Sequence, residues 1–489
     1  MSDQTAKNVE ASEWVEQSAL ERARRVAGEV AAEMGLDEAL EPYEGLRHSG
    51  ERDGRPVLHL EDVTGIPFVS AVPGVEEYQH RARVRAETGD LFAAVTAPNE
   101  GYEEYCRMKL GLGEPELFRP KPVAGPMKIA EACAHDQNLD WLVDWANEQA
   151  DDEPGLVIHP YMSIEPVWEL ARKLTDRGVD AQVVGPPPPA LWIANDKGAL
   201  ADIVDRVGGS DWNVETHPET TPQAMVERLR QMAERHELVG LKRTRCASAM
   251  GNIVFESAMI RRAEPLEIDR QVRQFLERTE WVEGEAVLAV QWAETEESPS
   301  TQMWIPPADI GEVRLDGVYQ QILSGPERVF VGSRPSTLPE PVNRRLARAS
   351  FLIATAFQEL GYVGRCSFDF IVVGESDDEP AIYVTECNGR WGGTSTPMHL
   401  VDRLIDGPRP PYVAQDFVHP ELVGAKLTHI LEAAGDELYD PETGEGRFVF
   451  YNCGPLRERG KLDVISFGQT PADAQEGIDV VLPGLLGLS

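Results

Sequence analysis

Four consecutive prolines at 186–189 constrain this chain more than any other feature. Proline lacks a backbone N–H and its ring clashes with the preceding turn, so such a run fits neither a helix interior nor a sheet ladder. It reads as a linker that divides the chain. Before it, short apolar runs alternate with helical stretches. FVSAV (68–72), LFAAVTA (91–97), LVIHPYM (156–162) and AQVVG (181–185) read as strands, and 99–111, 136–150 and 164–178 as the helices between them. That alternation predicts a small parallel α/β layer over 67–190. Ahead of it, 12–35 reads as a helix, with Trp14, Val15, Leu20, Val26, Val30 and Met34 at roughly helical spacing, and 36–66 as an acidic loop.

After the prolines the rhythm changes. Helices are expected at 196–208, 222–236, 266–279 and 341–360, and strands at 238–244, 253–260, 286–292, 298–305, 364–373 and 381–390. A tail from about 425 holds a short helix, two strands (RFVFYN and KLDVISF) and a last helix at 471–477. The expected units are therefore 1–66, 67–190, 191–424 and 425–489, in an overall α/β chain.

Composition narrows the partners. The 489 residues carry 83 acids against 46 bases, a net charge of −37, which disfavours nucleic acid or an anionic membrane surface. No window approaches the ~18 apolar residues of a membrane span. The N-terminus is polar and acidic, and six scattered cysteines without a C-x-x-C pair fit a reducing cytoplasm. Only nine of the 46 bases are lysines, a balance that fits a protein kept soluble at high salt or simply an acidic one. A lysine inside an apolar strand is therefore not background here.

The densest chemistry lies in the two late strands. Side chains alternate along a strand, so Ser367, Asp369 and Ile371 share one face of SFDFIVV, and Glu386, Asn388 and Arg390 one face of TECNGR. Paired, the two strands would collect two carboxylates and an amide oxygen, the hard ligands magnesium takes, beside a guanidinium able to hold a phosphate or developing anion. Asp369 alone would be an ordinary polar strand residue. E-x-N-x-R followed by Trp391, Gly392 and Gly393 is not ordinary, because paired glycines mark a sharp turn or a close approach. Upstream, Lys242 closes the strand LVGLK, and a small-residue loop containing Ser248 and Gly251 follows within five residues. A strand-end lysine beside a loop of backbone N–H groups is one way to grip phosphates. Lys197 opens the preceding helix. No G-x-x-x-x-G-K-[ST], G-x-S-x-G or H-E-x-x-H occurs.

In this order, the features resemble the ATP-grasp superfamily, and SPSTQMWI (298–305), VYQQILSG (318–325), ELGYVGRCSFDFIVV (359–373) and YVTECNGRWGGTSTP (383–397) resemble the peptide ligases of the pheganomycin type. The resemblance spans roughly 67–489 and implies an ATP-grasp fold (α+β) preceded by the parallel α/β domain. It implies ATP, with Lys197 and Lys242 on its phosphates, the 247–252 loop folding over them, and Val290, Gln291 and Trp292 as the adenine hinge. Glu294 or Glu297 would hold the ribose. Asp369, Glu386 and Asn388 would bind two magnesium ions, or manganese, and Arg390 the transferring phosphate and then the oxyanion. Many relatives carry an arginine two residues before the metal-binding aspartate. Here that position is Ser367, and Arg365, two residues earlier on the same face, is the substitute. The implied reaction is ATP-dependent ligation of an amino acid or peptide carboxylate to an amine through an acylphosphate. A phosphotransferase or a non-catalytic nucleotide-binding protein on the same fold are the alternatives. The expected partners are small molecules. Nothing in the sequence fixes the oligomeric state, a homodimer being one option.

Overall fold

In the computed structural model, residues 8–150, 153–246, 249–325, 328–374 and 379–488 are described, and they build three sheets. The chain opens with β1 (Val9–Glu10) and two helices, Ala11–Trp14 and Gln17–Met34, in place of the single helix expected over 12–35. Leu20, Ala23, Val26, Ala27 and Val30 form the buried stripe of the longer one, which joins the same core as the helix Glu340–Glu359. Trp14 meets Phe351 edge-on, ring centres 6.4 Å apart. The N-terminal segment thus packs on the back of the largest sheet's helix.

The parallel layer is present. Its strands are β2 (Val57–Leu60), β3 (Leu91–Ala93), β4 (Glu116–Phe118), β5 (Gly155–Pro160) and β6 (Asp180–Val183), in spatial order β4-β3-β2-β5-β6. FVSAV is not one of them: it forms only a short 3-10 turn at Val69–Ala71. Its place is taken by β2, in a stretch read as loop. Four residues with a histidine in the middle gave little period to read. That histidine is buried in the core, His59 Nε2 lying 3.3 Å from Asp90 Oδ2. The strand order reverses between β2 and β5, and a crevice beyond the C-terminal ends of strands at such a point is where open α/β sheets take ligands.

The four prolines are not a free linker. Pro187 caps and Pro188 begins a helix, Pro188–Asn195, where a missing N–H costs nothing and φ is already helical. Prolines 186–188 are buried, and the Ser163 hydroxyl donates to the Pro186 carbonyl at 2.7 Å. The next helix, Lys197–Gly208, follows at once, capped by Asp196.

A second, antiparallel sheet comprises β7 (Thr216–Glu219), β8 (Leu238–Arg243), β9 (Asn252–Glu256) and β10 (Val287–Gln291), in order β7-β10-β8-β9. The strand expected over 253–260 stops at Glu256 and continues as the helix Ser257–Arg262. The largest sheet holds β11 (Pro299–Ile305), β12 (Arg314–Ser324), β13 (Val329–Pro335), β14 (Gly364–Val373), β15 (Ala381–Asn388), β16 (Tyr412–Val418), β17 (Phe448–Asn452) and β18 (Lys461–Phe467). Their order is β15-β14-β11-β12-β13-β16-β18-β17, with β1 paired to β12. The tail strands therefore extend this largest sheet and do not form a sheet of their own. Phe368, Phe370, Ile382 and Val384 pack into the core beneath the helix Glu340–Glu359, which leaves the opposite face open.

Candidate active site

That open face forms one wall of a cleft of about 1440 Å³, bounded also by the second sheet and by the loops after β2 and β5. The two late strands pair as expected: Asp369 lies opposite Glu386, and Ser367 opposite Asn388. A bulge makes this work. Phe370 pairs with Val384, so Thr385 is the extra residue, and its hydroxyl donates to the Asp369 carbonyl at 3.0 Å. Core-facing Val384 and cleft-facing Glu386 are both accommodated by that one insertion.

Asn388 stands between its neighbours. Its amide nitrogen donates to Asp369 Oδ2 at 3.0 Å, and its amide oxygen accepts from Arg390 Nη2 at 2.8 Å. Burial and the adjacent Glu386 carboxylate push the Asp369 carboxyl up to about 7. Glu386 is half-buried, yet Lys197, Lys242 and Arg390 outweigh that desolvation and hold it below its usual value. Lys197 Nζ lies 3.0 Å from Glu386 Oε2 and donates to the Cys246 carbonyl at 2.7 Å. Lys242 lies 4.9 Å above the Trp292 ring; burial and the Lys197 charge lower its ammonium to about 8. Two carboxylates and one amide make a donor set suited to magnesium, provided the Asn388 amide turns its oxygen inward. Among the described residues no group of three or more His, Cys, Asp or Glu side chains is placed to hold a metal ion, so the amide would be a necessary third ligand.

The turn after Asn388 is held from behind. Gly389 N donates to Asn195 Oδ1 at 3.1 Å, and a Cβ on Gly389 would lie 2.6 Å from Asn195 Nδ2, so a side chain there would push the loop off. Trp391 fills the space beneath, with Arg85 and Arg365 over its ring at 4.8 and 5.4 Å and His159 and His399 edge-on at 5.5 and 5.3 Å. Burial holds both histidines well below the usual imidazole range, hence neutral.

Solved structures with a similar fold are found at low sequence identity. N5-carboxyaminoimidazole ribonucleotide synthetase from Thermus thermophilus superposes with a TM-score of 0.50 at 17% identity, over 88% of this chain and 98% of that one. The carboxyaminoimidazole ribonucleotide synthase of Aspergillus clavatus, complexed with ATP, gives 0.51 at 14%, over 88% and 98%. The biotin carboxylase domain of Hydrogenobacter thermophilus 2-oxoglutarate carboxylase, with MgADP, ADP and bicarbonate, gives 0.51 at 13%, over 88% and 93%. The fold is ATP-grasp. No family model and no curated protein sequence matches this chain.

The ATP-grasp cleft gathers most of the expected residues. Lys197, Lys242, Val290, Gln291, Trp292, Asp369, Glu386, Asn388 and Arg390 all line it. Two do not. Arg365 is turned away: its guanidinium is paired with Asp316 and packed between Trp304 and Trp391. Its position four residues before Asp369 carries it one full strand pair beyond the carboxylates. Glu297 is also spent elsewhere, accepting from Gln320 at 2.6 Å and bridging Val372, whereas Glu294 is the acid on the cleft wall. Gly251 is off the wall, packed against Cys246 so tightly that a Cβ would lie 2.4 Å from the cysteine's own, while Met250 and Asn252 beside it face the cleft. Ser248 lies outside the described residues.

Tyr161 and Lys461 escaped the sequence reading. The Tyr161 hydroxyl accepts from Arg390 Nη1 at 3.3 Å. Lys461 is one of three lysines on the cleft wall, and only nine exist in the chain, so lysine scarcity was the available signal.

Proposed function

We propose that this chain is an ATP-dependent carboxylate–amine ligase of the peptide-bond-forming type, acting through an acylphosphate and releasing ADP and phosphate. The observation that carries the reading is the convergence of Lys197, Lys242, Asp369, Glu386 and Arg390 on one cleft, with the 290–294 hinge on the facing sheet. The likeness to ATP-grasp structures supports the nucleotide, and magnesium with it.

Residue roles follow from position. Carboxylate and triphosphate repel, and Lys197 and Lys242 supply the positive charge that lets them approach. The N–H groups of Gln291 and Trp292 are already donated to the Glu215 and Leu238 carbonyls, so adenine would be read by backbone further along, near Ala293, and the ribose by Glu294. Asp369, Glu386 and Asn388 would hold magnesium, which supplies Lewis-acid neutralisation of the phosphate oxygens. Lys197, paired with Glu386 at 3.0 Å, would turn to the phosphate. Arg390, braced by Asn388, Tyr161 and the Trp391 carbonyl, stabilises the oxyanion when the amine attacks. The amine's surplus proton leaves with phosphate or solvent. We further propose the pheganomycin-type peptide ligases as the nearest functional relatives, with the division into 1–66, 67–190, 191–424 and 425–489 as functional units, the catalytic one being 191–424.

The test is product analysis by mass spectrometry after incubation with Mg-ATP, pooled amino acids and short peptides in high KCl. ADP together with a product one water lighter than two pooled components supports the ligase. A product heavier by a phosphoryl group replaces it with a kinase.

A further inference from the structure

A single file of hydrogen bonds runs along the cleft wall, joining the turn that carries Arg390 to the Asp369 carboxylate. It begins at the Gly392 amide, which donates to Ser395 Oγ at 3.1 Å. Ser395 passes its own hydrogen to Gln302 Oε1 at 2.9 Å. Gln302 Nε2 donates to Ser300 Oγ at 3.2 Å. Ser300, directly opposite Asp369 in the β11–β14 pair, donates its hydroxyl to that carboxylate.

The elements explain the alignment. Ser300 and Gln302 are two apart on β11 and so share a face, and Ser395 begins the helix Ser395–Leu404 just after the glycine turn. The ends set the direction, because a backbone N–H can only donate and an ionised carboxylate can only accept. Between them each hydroxyl accepts one bond and donates one. A reversed Gln302 amide would point its nitrogen at Ser395 and draw the Ser300 hydrogen away from Asp369.

Burial makes this arrangement costly to leave incomplete. Ser300, Gln302 and Ser395 border the cleft yet are 2%, 1% and 0% exposed. Buried polar groups of this kind are tolerated only while every bond is made, and chained bonds polarise one another. Asp369 also accepts from Gln321 and, at 3.0 Å, from Asn388. Asn388 carries the connection on to the Arg390 side chain, and the file through Ser300 carries it to the backbone of Gly392. Asp369 thus grips the turn at two places.

Building on the reading of Asp369 as a magnesium ligand, we propose that Ser300, Gln302 and Ser395 are positioning residues that couple metal occupancy at Asp369 to the setting of the Arg390–Gly392 turn. They act through the carboxylate at one end and the Gly392 amide at the other. Such a coupling is reciprocal, so whatever fixes one end steadies the other.

The test cuts the file at one end and reads it at the other. Magnesium affinity is measured by titrating MgCl2 into the ADP complex in a calorimeter, and hydrogen exchange follows the 388–395 amides. Ser395→Ala, three hydrogen bonds away from Asp369, should weaken magnesium at least threefold. Ser300→Ala should speed exchange of the Gly392 amide at least threefold. Combining both substitutions should weaken magnesium no more than the worse single variant does. Gln302→Met, close to the native side chain in volume, should reproduce both effects, and if it fails to fold the serine variants carry the same readouts. Unchanged magnesium binding in Ser395→Ala, unchanged exchange in Ser300→Ala, or additive losses in the double variant would overturn the proposal and leave Asp369 as a ligand. Magnesium binding that survives Asp369→Asn would overturn it together with the metal assignment it rests on. Neither readout uses turnover, so the ligase reading is judged separately by its products.

Discussion

The Lys197 ammonium lies 3.0 Å from a Glu386 carboxylate oxygen, joining the start of a helix to the end of a strand 189 residues later. The same ammonium also donates to the Cys246 carbonyl at the entrance to the small-residue loop. One cation thus ties together the three segments that the proposed reaction needs.

Replacing Glu386 by Gln keeps the shape of the side chain and removes its charge. ATP turnover should fall by at least a hundredfold, while the melting temperature changes by no more than about 3 °C. Intact turnover with a large stability loss, read by ADP release and calorimetry, would mean the carboxylate is structural.

Asp369 faces Glu386 without a cation between them, so the pair destabilises the metal-free fold when both are ionised. At pH 8, Asp369→Asn should therefore melt no lower than the wild type in EDTA. Millimolar magnesium should raise the wild-type melting point by mass action and leave the variant unmoved. A variant still stabilised by magnesium would place the ion elsewhere.

Arg390→Lys keeps the charge but loses the fork that reaches Asn388, Tyr161 and the Trp391 carbonyl together. Losing one oxyanion donor costs about 100- to 1,000-fold in kcat. A drop of that size with KM for ATP within threefold is expected, and steady-state kinetics on the identified substrate would show it. A selective rise in the KM for ATP would assign Arg390 to nucleotide binding instead.

Four imidazoles are held neutral, His59 and His80 fully buried and His159 and His399 half-buried. Burial lowers His59 and His80 to about 4 and holds His159 and His399 well below the usual imidazole range. Each takes up its proton on unfolding at a pH near 6.5 but not in the fold, so the stability it contributes is present above 6.5 and drains away towards pH 4. Each is worth about 1.4 kcal/mol per pH unit inside that window. Asp369 and Asp416, pushed up to about 7, act in the opposite sense between pH 4 and 7. The difference between wild type and His159→Gln isolates one imidazole: denaturation at pH 7.5 and 5.0 should show the variant losing less stability on acidification. Parallel losses would mean that His159 titrates normally.

A net charge of −37 repels itself across the folded surface. Raising KCl from 0.1 to 1 M shortens screening from ~10 to ~3 Å, and the melting temperature should climb by several degrees. A flat response would show that the surface acids are individually compensated.

How far the sequence carried depended on what each residue was surrounded by. The Asp369–Glu386–Asn388–Arg390 face was legible because strand alternation alone puts those side chains together once the strands pair. The parallel layer was legible in class but not in membership. β2 is four residues with His59 inside, and its identity as a strand comes from burial against β3 and β5, which no local period encodes. The prolines misled because a helix N-terminus and a free linker have the same local chemistry; burial by the surrounding layers decides between them. Glu297 and Arg365 sat at plausible spacings, and only the tertiary partners Gln320 and Asp316 show that their side chains are already spent. Lys461 comes from a tail whose strands were expected to stand apart, and its place in the cleft follows from β16 and β18 joining the large sheet.

That junction has a mechanical consequence. The carboxylates on β14 and β15 and the aspartates on β16 and β18 belong to one hydrogen-bonded plate, so no hinge between them can stretch or shorten the gap. Movement of the small four-stranded sheet can open or shut the nucleotide end without altering that spacing. The plate therefore keeps the two acidic ends of the cleft wall at one fixed separation.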